Sequence, residues 1–320
     1  MVRQKQVNIV VPTIRDISFF SNFLENWGEE FEGCNLIVVE DRKKKILNSL
    51  LKEHSKFYGY TYQLFDWRDI DKDLGEDSWI IPRQTDVVRN YGYLVAYRND
   101  PLFILTLDDD TAPGGDNYIL THYNNLFLKK GQYKYFSTMP GKNVRGSEAF
   151  VQDMEIGVSH SGWLKNPDYS AHEQVRAKVG CDYASYCTDF YNGVVPTENY
   201  YAMCGMALAW KPELTKWMYF PMQGLKDWGI DRCGDIWAGF YCKEQCDWAG
   251  IAHHTGEPFV LHERASNIWS SIVKEEDSDK KGDAFIYWLE TGEKKPILKD
   301  YLDKLEEAYE IWERLLDEPC

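Results

Sequence analysis

Short apolar runs and stretches of helical spacing alternate along the first third of this chain. Residues 7–11 (VNIVV) form an apolar run closed by Pro12 and Thr13, which predicts a short buried strand. Phe19, Phe20, Phe23 and Leu24 then recur at helical spacing, with Asp16 or Ser18 as the cap. Residues 34–39 (CNLIVV) repeat the strand pattern and end on Glu40 and Asp41. Strand, helix, strand at this spacing is a βαβ unit. Near-continuous apolar runs are how parallel strands read, because both of their faces are covered.

Further on, residues 79–81 predict another strand, and residues 85–97 predict a helix with Val88, Tyr91, Leu94 and Val95 inward. Residues 102–107 (LFILTL) are the clearest strand and run straight into Asp108, Asp109 and Asp110. A helix is expected over 117–128 and a strand near 133–137. From 140 to 205, Gly, Pro, Tyr and Ser are frequent and periodicity is weak, so loops and short elements are expected. Residues 234–248 predict a helix, and 258–261 a short strand ending in His262.

Residues 274–282 (KEEDSDKKG) read as a charged break. That break divides the chain into a catalytic domain over 1–275 and a helical extension over 283–320. In the extension Leu298, Leu302, Leu305, Tyr309, Trp312 and Leu316 recur every three or four residues behind Pro296. The expected fold class is α/β: a Rossmann-type, mostly parallel sheet flanked by helices, with a C-terminal amphipathic helix packed on it.

Composition narrows the partners. The 320 residues are 44% hydrophobic and 27% charged, as in ordinary globular proteins. A net charge of −15 argues against a nucleic-acid partner, which would need a basic surface. An acidic chain that binds a phosphorylated ligand neutralises it with a divalent metal and a few arginines. The opening segment, MVRQKQVNIVV, lacks an apolar core followed by a small-residue cleavage site, and no apolar run reaches membrane-spanning length. A cytoplasmic location is therefore expected, with the eight Cys as reduced thiols. Cys242 and Cys246 can share one helix face and hint at a metal. A second pair at zinc spacing is missing, which weighs for plain thiols.

The strongest chemical signal is the run Asp108–Asp110. Carboxylates at the end of so apolar a strand are costly unless a cation sits among them. The carboxyl ends of strands are where open α/β sheets bind ligands, and a hard divalent ion takes oxygen ligands from protein and phosphate alike. Mg²⁺ or Mn²⁺ on a diphosphate is the reading, against a solvated acidic turn. The other candidates each carry two readings. Asp41 can receive a ribose or base, or close a turn. Arg89 can hold diphosphate oxygens, or be solvated on its helix. Arg145, in NVRG, can clamp a phosphate or sugar, or lie on a surface loop. Asp235, beside Trp237, can take sugar hydroxyls or act as a base, or sit at a helix start. His262 can complete the metal site, or be structural.

The order of the segments is more specific than any one of them. VNIVVPTIRD, LIVVED, RNYGYLV, FILTLDDD, NVRG, VSHSGWLKNPDY, MCGMALAW, GDIWAGFYCK and GEPFVLHERASN, in that order, resemble the reversibly glycosylated polypeptide family, which includes plant UDP-arabinopyranose mutases. The resemblance spans about residues 7–275. It implies a GT-A-type nucleotide-sugar fold that binds a UDP-sugar through Mn²⁺ or Mg²⁺. Asp108 and Asp110 would hold the metal, with His262 as a further ligand. Asp41 would touch the nucleoside, and Arg89 would approach the phosphates. Asp235 would be catalytic, Trp237 and Arg264 would line the substrate, and Arg145 matches the arginine on which members are glycosylated. Homo- or hetero-oligomers are a further implication. Three positions depart from the family pattern: Gln152 replaces a second arginine, Gly234 replaces the first of two paired aspartates, and Arg264 replaces a lysine. The leading expectation is a mutase that interconverts pyranose and furanose forms of a UDP-sugar. The alternatives are a glycosyltransferase acting on an outside acceptor and an inactive nucleotide-sugar-binding partner subunit.

Overall fold

The computed structural model describes residues 5–134, 151–164, 192–224, 230, 232, 234–263 and 268–318. Its first half follows the apolar runs. Strands β1 (Asn8–Thr13), β2 (Asn35–Glu40) and β3 (Thr61–Phe65) pair in parallel, and β4 (Ile104–Leu107) adds in parallel on the other side of β1. The intervening helices are α1 (Ile17–Trp27), α2 (Asn48–Tyr58), α3 (Trp67–Leu74) and α4 (Arg89–Arg98). Asp16 caps α1 by accepting from the Phe19 N–H at 2.9 Å. Pro12 lies inside β1 because the pairing with β4 stops at Val10, so no ladder donor is needed there.

The second half of the sheet is mixed. β5 (Thr111–Pro113), β6 (Lys130–Lys134), β7 (Val151–Leu164), β8 (Gly193–Val194), β9 (Ala207–Trp210) and β10 (Ile251–His262) complete it, and the main strand order is β3-β2-β1-β4-β9-β7-β10-β5. β9 is antiparallel to both β4 and β7, whereas β7 and β10 run parallel.

Alternate strand residues feed two cores, one on each face. Ile9, Val11, Leu36, Val38, Leu105 and Leu107 join Phe20, Phe23, Trp27 and Leu51 from α1 and α2. Val10, Ile37, Val39, Ile104, Leu208 and Trp210 join α4 and three helices of the C-terminal third. Those helices are α6 (Gly234–Ala249), α7 (Ile268–Thr291) and α8 (Lys299–Asp317), while α5 (Tyr118–Tyr123) lies between β5 and β6. Gly92 lets α4 approach β1 closely: a Cβ there would stand 2.4 Å from Val10 Cγ1. Leu302, Leu305, Tyr309, Trp312 and Leu316 of α8 are buried in the same core as Val10 and Trp210, and Trp312 Nε1 donates to the Thr215 carbonyl at 3.1 Å. Among the described residues no helix is long and apolar enough to cross a membrane.

Several expectations are corrected. Residues 79–81 belong to a 3₁₀ helix (Gly75–Ile80) and its end, not to a strand. The helix expected over 117–128 is α5 followed by a π-helical turn (Asn124–Leu128). The stretch expected to hold only loops and short elements contains the 14-residue β7. The strand expected at 258–261 begins earlier, at Ile251. Most plainly, the charged segment 274–282 is no break, because α7 runs through it. A run of charged residues leaves no apolar periodicity from which a helix could be read.

Candidate active site

Four strand ends gather the acidic residues. β1, β2 and β4 all point their carboxyl ends to one edge of the sheet, and the antiparallel pairing of β5 with β10 brings His262 opposite Thr111. Asp108–Asp110 follow β4 and Asp41 follows β2. The Asp41 N–H donates to the Thr13 carbonyl at 2.9 Å, which holds the β2 end against the β1 end.

The three aspartates have three different environments. Asp108 is gripped from behind: Arg89 Nη2 donates to its Oδ1 at 2.7 Å, leaving the side chain 30% exposed. Asp109 turns inward, where its Oδ2 accepts from Thr13 Oγ1 at 2.6 Å and its Oδ1 from Arg15 Nε at 3.4 Å. Burial raises the pKa of the Asp109 carboxyl, with the Thr13 and Arg15 contacts opposing. Asp110 faces His262, with Oδ2 and Nε2 3.8 Å apart, and the Glu263 N–H donates to the Asp110 carbonyl at 3.0 Å. The 3.8 Å gap is too long for a hydrogen bond. It is within the roughly 4.2 Å that one ion with bonds of about 2.1 Å can bridge. A carboxylate and an imidazole on two rigid strand ends therefore fit a divalent cation as a ligand pair. Asp108 does not close a tight three-ligand cluster with them among the described residues. That suits a hard ion which fills its remaining positions with phosphate oxygens and water.

Arg89 differs from its sequence reading. It is 2% exposed, and its donors are engaged within the protein. Nε donates to the Asp86 carbonyl at 3.0 Å, and Nη1 to Thr106 Oγ1 at 3.3 Å and to the Gly205 carbonyl. Gly205 must be glycine for this approach, since a Cβ would stand 2.6 Å from Arg89 Nη1. Burial works against the charge, but Asp108 and the other nearby acceptors outweigh it and raise the guanidinium pKa. Arg89 thus orients Asp108 and is not free to hold a diphosphate.

Asp41, just after β2, is buried. Trp67 Nε1 donates to its Oδ1 at 2.7 Å, and the backbone N–H groups of Gln84 and Thr85 also face it. Burial raises its pKa despite these donors and nearby Arg83. The neighbouring Glu40 accepts from the Ile46 and Leu47 N–H groups, at 2.8 and 3.0 Å for the shorter contacts, and so shapes the loop after β2. Thr13, Arg15 and Glu40, which lie inside the segments VNIVVPTIRD and LIVVED without an assigned role, and Trp67, which lies outside them, contact the predicted carboxylates or shape the loop beside them. Their signal is position alone, at or just after a strand end or next to a predicted carboxylate.

Asp235 lies in the first turn of α6, half-buried, with Oδ1 accepting from the Ile236 N–H at 2.9 Å. The helix start is tied to the rest of the site through Gln223. Gln223 Oε1 accepts from the Gly234 N–H at 2.8 Å, and Nε2 donates to Asp86, whose carbonyl receives Arg89. Trp237 does not line the cleft. Its ring is 2% exposed, stacked on Phe285 at 4.4 Å and edge-on to Tyr301 at 5.8 Å, because α7 and α8 close over it. Arg145 and Arg264 lie outside the described residues, and of Gln152 only the backbone, in β7, is described.

The sequence profile of the family described as "Reversibly glycosylated polypeptide" matches residues 2–294. The chain is 32% identical to UDP-arabinopyranose mutase 3 of Arabidopsis thaliana over 302 residues, covering 89% of this chain and 76% of that protein. It is 31% identical to probable UDP-arabinopyranose mutase 2 of Solanum tuberosum, covering 89% and 75%. Among solved structures, a mannosyltransferase of Pyrobaculum calidifontis in complex with GDP-Man and Mn²⁺ is similar at a TM-score of 0.45 and 11% identity. It covers 98% of this chain and 74% of that one.

Proposed function

The chain belongs to the reversibly glycosylated polypeptide family, and from that premise we propose that it is a metal-dependent UDP-sugar mutase. The observation that carries the site is the Asp110–His262 pair, 3.8 Å apart on two strand ends beside an Asp108 held by a buried arginine. In this reading Asp110 and His262, with the outer oxygen of Asp108, hold Mn²⁺ or Mg²⁺. When bound, that ion supplies neutralisation of the charge that develops on the diphosphate as its bond to the anomeric carbon weakens.

The chain's own residues do the rest. Asp41, held in place by Trp67 and the Gln84 and Thr85 N–H groups, receives the nucleoside. Arg89 fixes the Asp108 carboxylate so that it need not reorganise during reaction. Exchange of ring size replaces the bond from the anomeric carbon to one ring oxygen with a bond to another hydroxyl of the same sugar, and the bond to the diphosphate, broken during the exchange, is remade to the same UDP at its end. The proton lost by the attacking hydroxyl is returned to the departing ring oxygen, so the reaction needs no co-reactant. Asp235, half-buried at the start of α6, is the group proposed to carry that proton. The family's glycosylated arginine corresponds to Arg145, and its way-station role is part of the same proposal.

The test is incubation of the purified protein with UDP-arabinopyranose and Mn²⁺, followed by chromatography. UDP-arabinofuranose is the expected product. Free UDP as the main product would replace this reading with a transferase awaiting its acceptor. Bound but unchanged UDP-sugar would contradict the mutase and leave a binding subunit.

A further inference from the structure

Away from the nucleotide edge, the second half of α6 and the start of β10 bring three soft donors together. Cys242 and Cys246 sit one turn apart on the helix, and both are fully buried. The chain turns at Gly250, whose φ of +70° suits glycine, and β10 returns His253 against them. Cys242 Sγ lies 3.9 Å from Cys246 Sγ and 3.8 Å from His253 Nε2. The three donor atoms all lie within 4.8 Å of one another.

We propose that Cys242, Cys246 and His253 form a second metal site, separate from the nucleotide edge, for a thiophilic ion of the zinc class. Tetrahedral zinc, with Zn–S of about 2.3 Å and Zn–N of about 2.0 Å, holds its donors about 3.5–3.8 Å apart. The two separations from Cys242 need only a few tenths of an ångström of closure, and the Cys246–His253 separation, within 4.8 Å, needs up to about 1 Å. A disulfide fits poorly: it requires Cβ atoms about 3.5–4.5 Å apart, whereas residues four apart on a helix hold theirs at roughly 5–6 Å.

Charge and hydrogen bonding favour the ion as well. Two thiolates and a neutral imidazole around a divalent cation leave no net charge in the core. Lys243 does not serve the thiols, because its Nζ is drawn to the Pro196 carbonyl at 3.0 Å and to Asp247. His253 is fully buried, and it is Nε2 that faces the thiols, 3.8 Å from Cys242 Sγ, so Nε2 is the ring atom placed to ligate. The two sites then sort ions by softness, with oxygen donors at Asp108 and Asp110 and sulfur donors here.

The placement gives the ion a structural task. β10 begins beside it and ends at His262, up to about 30 Å further along the strand. α6 passes through it and carries Asp235 in its first turn. An ion at this point pins the helix that presents one proposed site residue to the strand that presents another, without touching substrate.

The test is elemental analysis of protein purified without a histidine tag. About one zinc per chain is expected in the parent protein and in Asp110→Ala, and less than about a tenth in Cys246→Ser and His253→Val. Cobalt reconstitution of the parent chain gives a readout that does not depend on a variant folding. Thiolate-to-cobalt charge transfer in the near ultraviolet, with the visible bands of tetrahedral cobalt, is expected. A parent protein with neither zinc nor these bands would overturn the proposal, as would zinc content unchanged in Cys246→Ser and His253→Val.

Discussion

Arg89 Nη2 meets Asp108 Oδ1 at 2.7 Å, and the same guanidinium reaches the carbonyls of Asp86 and Gly205. One buried cation thereby ties the α4 start, the end of β4 and the segment before β9 into a single frame behind the acidic cluster. Replacing Arg89 with Met leaves the Asp108 carboxylate and two carbonyls without their donor. Loss of one partner from such a pair costs about 3 kcal/mol, the low end for buried pairs because Asp108 is partly exposed. The midpoint of urea unfolding measures this. Asp108→Asn, which keeps an acceptor, is expected to cost less in stability and more in metal-dependent binding.

Trp237 sits in the core and not in the cleft. Trp237→Ala is therefore expected to lower stability by about 3–5 kcal/mol. Trp237→Phe, which retains the stack on Phe285, should be milder and should leave the affinity for UDP unchanged. A selective loss of UDP-sugar affinity in a stable Trp237→Phe protein would return this ring to the substrate site.

The division between what the sequence reveals and what it hides follows physical lines. β1, β2 and β4 are legible because both their faces are buried, so each is a nearly unbroken apolar run. The Asp108–Asp110 cluster is legible for the same reason: charge stands out after such a strand. β7 is hidden because its buried positions include Ser159, His160 and Ser161, which hydrogen-bond to His122, Thr255 and Tyr118 on other elements. Those residues look like loop composition until their partners are known. Arg89 was legible as a site residue but not in its role, since nothing local to its helix announces Asp108 or the Gly205 carbonyl.

Gly234 stands where the family resemblance calls for a carboxylate. A Cβ at this position meets the Gln223 side chain at 3.0–3.2 Å. Gln223 is itself held by the Gly234 N–H and Asp86. Gly234→Asp alone is expected to cost about 1 kcal/mol through crowding, and pairing it with Gln223→Ala should relieve that cost. Thermal denaturation of the single and double variants checks the coupling.

Three buried histidines make stability depend on pH. Burial is the main cause that lowers His122 and His160 to about 3 and His254 to about 4, each from an ordinary 6.5. The unfolded chain takes up these protons below pH 6.5 while the folded chain does not. Stability is therefore complete above that pH and falls progressively as pH drops towards the folded values. Unfolding midpoints between pH 7.5 and 5 should decline. His122→Gln, which keeps an amide beside Ser159 but does not titrate, should make that decline shallower.

The central claim is that Asp110 and His262 hold a divalent ion on the diphosphate of a UDP-sugar. Calorimetric titration of UDP-sugar into the protein, with Mn²⁺ and with chelator, tests it most directly when repeated on Asp110→Ala. Tight binding that requires Mn²⁺ in the parent chain, and is lost in a folded Asp110→Ala protein, is the predicted result. Unchanged affinity and unchanged metal dependence in that variant would contradict the claim.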